Sequence, residues 1–176
     1  FKPNRLEAAK ELTKEFVYGR KTDRIGLVIF SRDAFTQCPL TVDYKVLVDL
    51  LRVVKSGMID DGTAIGNAIT NGVNRLKDND AKSKVLILLT DGVNNAGEVD
   101  PLTATEIAKT FGVKIYSIGV GTMGEAPYPY QTPFGKQYQM VPVQIDEAML
   151  KKISESTGGK YFRATGNKKL ESVFAE

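Results

Sequence analysis

Apolar positions recur at two spacings along the chain. Between Asn4 and Gly19, Leu6, Ala9, Leu12, Phe16 and Val17 follow one another at helical intervals, which predicts a helix with one apolar face. Asn4 with Glu7 three residues later has the form of an N-terminal capping box. "RIGLVIF" (24–30) then runs almost without a polar break, as a buried strand does. "SRDA" joins it to the shorter "FTQCPLT" (35–41), and so tight a link predicts a hairpin with an antiparallel second strand. Pro39 has no amide proton for a ladder and places that strand at an edge. Asp43 can cap a helix bearing Leu47, Leu50, Leu51 and Val54, and Thr63 opens another whose Ile65, Ala68, Ile69, Gly72, Val73 and Leu76 form a single stripe.

The remainder alternates strand and helix: "KVLILLT" (84–90), a helix introduced by Asp100 and Pro101, "KIYSIGV" (114–120), a helix from Asp146 to a Gly158-Gly159 stop, "KYFRA" (160–164) and a last helix from Asn167. Buried strands separated by amphipathic helices predict an α/β, Rossmann-like fold. Its sheet is mostly parallel with one antiparallel edge strand, and helices cover both faces.

Composition narrows the chemistry. The 176 residues suit one domain, here taken as 1–176, because a single core serves roughly 100–200 residues. There is no histidine and one cysteine, Cys38, which removes an internal disulfide, a cysteine-rich zinc site, and Ser-His or Cys-His catalysis. The 24 basic and 21 acidic side chains leave a net charge of +3 and are scattered, so no nucleic-acid footprint is present. The longest purely aliphatic run, Val85 to Leu89, is far short of the ~20 residues that cross a bilayer.

Gly119, Gly121 and Gly124 stand in GxGxxG spacing after a β-branched run, as in a dinucleotide-binding loop. That loop needs a helix to begin at the third glycine, whose amides then hold a pyrophosphate. Here "EAPYPYQTP" follows, and Pro127, Pro129 and Pro133 remove amide donors and disfavour a helix, so no nucleotide site is expected. The same stretch, "YPYQTPFGKQYQMVP", predicts a protruding hairpin with Tyr128 and Tyr130 before a "PFGK" turn and Tyr138 and Met140 after it. It has two readings: a cover for a helix end, or a contact surface of the aromatic and methionine type enriched at interfaces.

Sites in parallel α/β sheets form at the carboxyl ends of strands. Asp91 stands there, directly after "VLILLT", and Thr63 begins the helix preceding that strand, so their oxygens are placed to reach one edge. Each also has a purely structural reading, Thr63 as a helix cap and Asp91 as a turn former with Gly92.

"RIGLVIF", "DDGTAIGNAI", "VLILLTDGVNN" and "IYSIGVGT", in this order, resemble a von Willebrand factor A (VWA) domain across essentially the whole chain. "FKPNRLEAAK", "FTQCPLT", "TDGVNNAG" and "GVGTMGEAPYP" are similar, more narrowly, to the VWA domains of bacterial aerotolerance (Bat) membrane proteins. The resemblance implies a metal ion-dependent adhesion site in which Thr63 and Asp91 hold the threonine and aspartate positions. It implies Mg²⁺ or Mn²⁺ in the complete domain, and a protein partner whose carboxylate completes the metal shell. Asn94, Asn95, Tyr128, Tyr130 and Tyr138 are expected on the partner-binding face. The DxSxS loop that completes the family's site does not occur in this sequence, and in the family it closes a central first strand just ahead of the first helix. The expectation is therefore a domain lacking that strand at its N-terminus, which in the family order 3-2-1-4-5-6 lies between "RIGLVIF" and "VLILLT".

The resulting functional expectation is a non-catalytic protein-protein interaction module of an aerotolerance-type protein. Anchoring in a bacterial cytoplasmic membrane, through segments outside this chain, and related membrane proteins as partners are implied by the resemblance. The alternatives are a metal-assisted phosphohydrolase using Asp91 as nucleophile, against which no second acid, GxSxG or P-loop is found, and a metal-free scaffold.

Overall fold

The computed structural model describes residues 4–121, 124–143 and 145–165, so the helix expected from Asn167 lies outside the described residues. The elements in chain order are α1 (Arg5–Tyr18), β1 (Ile25–Phe30), β2 (Ala34–Thr41), α2 (Tyr44–Arg52), α3 (Ile65–Leu76), β3 (Lys84–Thr90), α4 (Pro101–Thr110), β4 (Val113–Val120), β5 (Gly124–Thr132), β6 (Gly135–Val143), α5 (Glu147–Ser156) and β7 (Tyr161–Ala164).

Local chemistry explains most boundaries. Asn4 caps α1 by accepting the Glu7 amide at 2.9 Å, but Glu7 spends its carboxylate on Lys10 at 3.0 Å, so only half of the capping box forms. Asp43, Asp100 and Asp146 cap α2, α4 and α5 by accepting amides two or three residues ahead. Thr63 does not cap α3: Ala64 occupies that position and offers no side-chain oxygen. α5 gives way to Gly158 at φ +80, a left-handed conformation that glycine adopts without strain. No helix starts at Gly124, which instead begins β5.

β3, β4 and β7 form a parallel sheet in the order β3-β4-β7, while β1 and β2 pair antiparallel and β5 and β6 pair antiparallel. Parallel strands and helices on both faces agree with the expected α/β fold. The sheet is divided between β1 and β3, where no described strand lies. α3 bridges the division, packing on β1, β2 and β3.

The faces follow the two-residue period of the strands. Leu88, Val113 and Ile115 join Ile65, Ile69 and Val73 of α3, Ala104 and Ala108 of α4, and Leu150 and Ile153 of α5 in the main core. Ile118 and Val120 point the other way, onto Leu12 of α1, with Ile87 and Leu89 beside them. Val17 and the α2 residues Leu47 and Val48 close over Cys38 and the β1–β2 pair. Burial, and secondarily the charge of Asp43, pushes the Cys38 thiol above its ordinary pKa, as expected of an unreactive structural cysteine.

Among the described residues, one fully enclosed side-chain polar atom lacks a hydrogen bond, the Tyr161 hydroxyl on β7. It faces Gly119 so closely that a Cβ there would lie 2.7 Å away. Burial, then the neighbouring Glu147 carboxylate, pushes this phenol up to about 12. The charge of Glu147 is felt, but no well-formed hydrogen bond reaches the hydroxyl. The native state therefore favours the neutral phenol. Its contribution to stability is complete below the ordinary tyrosine pKa of about 10 and declines as pH rises toward about 12. In a phenolate absorbance titration, one of the seven tyrosines should ionise last, and Tyr161→Phe should remove that late step.

Candidate metal and partner-binding edge

β3 and β4 run in register from Lys84 opposite Val113 to Thr90 opposite Gly119, so Asp91 and Gly121 emerge at the same end of the sheet. Two loops converge on that edge. Ser31, just after β1, donates its hydroxyl to the carbonyls of Asp60 at 2.8 Å and Gly62 at 3.0 Å, and its own carbonyl accepts the Ala64 amide at 2.7 Å. These bonds tie the loop carrying Thr63 to the end of β1.

The other side of that loop is held by the two asparagines after β3. Asn95 accepts the Thr63 amide at 2.8 Å through Oδ1 and donates its own amide to the Thr63 carbonyl at 3.1 Å. Asn94 accepts the Ile65 amide at 2.9 Å and thereby caps α3 from outside the helix. Their Oδ1 atoms hold the loop. Nothing in the local sequence reveals this, because the partner amides lie 32 and 29 residues away.

With both main-chain groups of Thr63 engaged, its hydroxyl is directed at the start of the Asp91 loop. A Cβ on Gly92 would meet Thr63 Oγ1 at 2.7 Å, so glycine at 92 is what lets the hydroxyl stand beside the residue following Asp91. Asp91 accepts no backbone amide among the described residues and so does not make the expected turn with its own carboxylate. Its partner is Arg5 of α1, whose Nη1 lies 3.3 Å from Oδ2, and the Asp91 side chain remains 59% exposed. Arg5 lies in "FKPNRLEAAK", but nothing in that stretch points to a partner 86 residues away.

Behind this edge, Asn67 of α3 works as a clamp. Its Oδ1 accepts the Glu98 and Val99 amides at 3.0 and 3.1 Å, and its Nδ2 donates to Asp33 at 3.0 Å. That hydrogen bond first, then the Ala34 amide, holds the Asp33 carboxyl below its ordinary pKa. Asn67→Ala strands two main-chain donors, so it should cost about 1–3 kcal/mol in denaturant unfolding. Asp33→Asn, which leaves both Asn67 acceptor bonds in place, should cost less.

The β5–β6 hairpin leaves the sheet from this same end of β4, closing through Pro133 and Phe134 with Thr132 opposite Gly135. Pro127 and Pro129 face Met140 and Tyr138, and Pro142 faces Glu125. Counting in twos from the closing pair, all three prolines fall where the strand's amide points away from its partner, so the ladder loses nothing to them. The register sets residues 128 and 130 opposite Gln139 and Gln137, and Tyr138 opposite Pro129. The side chains at 128 and 130 lie outside those the structure describes. Phe134 at the tip is 95% exposed and Tyr138 67%.

The donors at the edge, a carboxylate and a hydroxyl, are hard oxygens of the kind that suit Mg²⁺ or Mn²⁺ and not a thiophilic ion. They fit part of a six-oxygen shell. Among the described residues no group of three or more His, Cys, Asp or Glu side chains converges. An open cleft of about 480 Å³ lies elsewhere, at the start of β1 and the end of α3, lined by Arg24, Asn74, Arg75 and Asp80 among others, and has no part in this edge.

The von Willebrand factor type A domain profile matches residues 1–176. A protein of Borreliella burgdorferi is 36% identical over 160 residues, covering 90% of this chain and 47% of its own length. The chain thus spans about half the length of the curated relatives it matches. The crystal structure of an aerotolerance-related membrane protein from Bacteroides fragilis superposes with a TM-score of 0.79 at 29% identity, over 99% of this chain and 88% of that one. Proximal thread matrix protein 1 from the mussel byssus, solved with a zinc-occupied MIDAS motif, shares the fold at a TM-score of 0.71 and 20% identity, over 97% of this chain and 41% of that one. No helix among the described residues is long and apolar enough to cross a membrane.

Proposed function

The chain belongs to the von Willebrand factor type A family, and from that premise we propose that it is a non-catalytic protein-interaction module which binds its partner through a divalent cation held at the Thr63/Asp91 edge. The observation that carries this is the disposition of those two side chains. Thr63 is not the α3 cap, a place held by Ala64 with Asn94 accepting the Ile65 amide, and in the turn after β3 the Gly92 amide is accepted by the Thr90 hydroxyl and not by Asp91. What is left is a hydroxyl beside Gly92 and an exposed carboxylate at the carboxyl end of a parallel strand.

Thr63 and Asp91 would hold Mg²⁺ or Mn²⁺ from one side. An ion with so few anionic ligands stays electrophilic and accepts a carboxylate from another protein as a further oxygen ligand. Asn94 and Asn95 hold the loop from which Thr63 projects, and exposed Phe134 and Tyr138 on the hairpin supply apolar contact area. A phosphohydrolase is the weaker reading, because the charged group against Asp91 among the described residues is the Arg5 guanidinium, which is neither a general acid nor a general base at neutral pH.

Two broader proposals accompany the site. A strand running between β1 and β3 would pair the two edges that the divided sheet leaves without a described partner, joining it into one sheet under α3. The likeness to an aerotolerance-related membrane protein supports an anchored parent that works beside related membrane proteins, with this domain projecting from the bilayer of a bacterial cytoplasmic membrane.

The test is thermal unfolding of the intact protein with Mn²⁺, with Mg²⁺ and with chelator, for wild type and Asp91→Ala. Ions at a hundredfold excess over the dissociation constant should stabilise wild type by about 2.7 kcal/mol and leave Asp91→Ala unchanged. Equal stability of wild type in metal and in chelator would overturn the reading.

A further inference from the structure

We infer that Arg5 is a built-in cation which occupies Asp91 in the metal-free protein, and that a divalent ion binds by displacing it. The inference rests on the reading of Asp91 as a metal ligand and adds a residue that no motif assigns to the site. Arg5 is the first residue of α1, and its Nη1 lies 3.3 Å from Asp91 Oδ2. The guanidinium also reaches the end of the neighbouring strand: its Cζ and Nη1 lie 3.8 and 3.9 Å from where a Cβ on Gly121 would stand. One positive group thus spans the ends of β3 and β4 on the edge where the cation would sit.

Electrostatics makes the two occupants competitors. Among the described residues Asp91 has no backbone donor, so Arg5 supplies the compensation of its charge. A dication on the same carboxylate satisfies that charge more fully and repels the guanidinium at close range. The pair is partly exposed, at 33% for Arg5 and 59% for Asp91, so it is weak enough to be exchanged. Metal binding then releases a planar, five-donor cation at the rim, next to Gly121. There a partner's carboxylate can be met by the ion and by Arg5 together.

The experiment is calorimetric titration of the intact protein with Mn²⁺ at low salt, comparing wild type, Arg5→Gln, Lys14→Gln and Asp91→Ala. It is joined to observation of the Arg5 Nε–Hε resonance during a Mg²⁺ titration. Lys14 lies on the same helix but pairs with Glu11, so its loss controls for removal of one positive charge. Arg5→Gln should bind Mn²⁺ about two- to fivefold tighter than wild type, the scale of an exposed ion pair. Lys14→Gln should match wild type, Asp91→Ala should not bind, and the advantage of Arg5→Gln should shrink as salt rises. In wild type the Arg5 resonance should move saturably with Mg²⁺. Equal affinity of wild type and Arg5→Gln, or an Arg5 resonance unmoved while metal binds, overturns the exchange and leaves the metal site standing. Absence of binding in every variant, Arg5→Gln included, overturns both.

Discussion

Gly66→Ala is expected to destabilise the domain by about 3 kcal/mol or more, at or beyond the upper end of ordinary overpacking. Gly66 lies in the first turn of α3, where a Cβ would meet the Val99 carbonyl oxygen at 1.8 Å, its carbon at 2.7 Å and the Asp100 carbonyl carbon at 3.1 Å. All three are main-chain atoms, so relief requires moving the backbone that Asn67 holds from the next position. α3 would have to retreat from the 97–100 segment, taking with it the loop that presents Thr63. The comparison is Gly112→Ala. Gly112 has φ +66 with nothing within 4 Å of the added carbon, so that change pays only for the left-handed backbone, about 1 kcal/mol. Urea unfolding of both variants separates clash from strain. A Gly66→Ala protein as stable as Gly112→Ala would show that α3 and the 97–100 segment are less closely packed than the structure has them.

Ile69→Ala should cost about 2–5 kcal/mol, and Ile69→Val only about 0.5–1.5 kcal/mol. Ile69 is fully buried near the middle of α3, in the core that also contains Leu88 of β3, Ile115 of β4, Leu150 of α5 and Ala104 of α4. α3 is also the helix that packs on both parts of the divided sheet, so a cavity at its centre loosens the join between the β1–β2 pair and the parallel strands. The expected record is a lower urea midpoint with an unchanged slope for Ile69→Val. For Ile69→Ala the slope should also change if the β1–β2 pair comes loose before the rest. A cost below 1 kcal/mol for Ile69→Ala would mean that the core collapses around the missing atoms.

Much of the fold was legible because it is local. Asp43, Asp100 and Asp146 announce helices by chemistry that acts within three residues, and "KVLILLT" matches β3 residue for residue. The prolines that ruled out a nucleotide loop fit an extended ribbon instead, since Pro127 and Pro129 fall where a hairpin strand needs no donor toward its partner and Pro133 falls in the turn. Thr63 and Asp91 could be singled out by the same kind of reasoning, as polar residues at the end of a buried strand and at the start of the helix before it.

Their surroundings could not. That Ala64, and not Thr63, caps α3 depends on Asn94 arriving from 29 residues away. That Asp91 meets Arg5 depends on a pairing across 86 residues, and nothing near either residue in the sequence announces the other. The sequence reads the hairpin and its turn, and the register that sets Tyr138 opposite Pro129 comes only with the paired strands. The sequence by itself determined most of the described elements, the aspartate caps of α2, α4 and α5, and the two candidate oxygen donors, since periodicity and capping are properties of neighbours along the chain. Only the tertiary structure decided which structural roles those donors were spared and which cation stands against Asp91. Those outcomes come from hydrogen bonds and charges brought together across the fold, and no spacing along the chain encodes them.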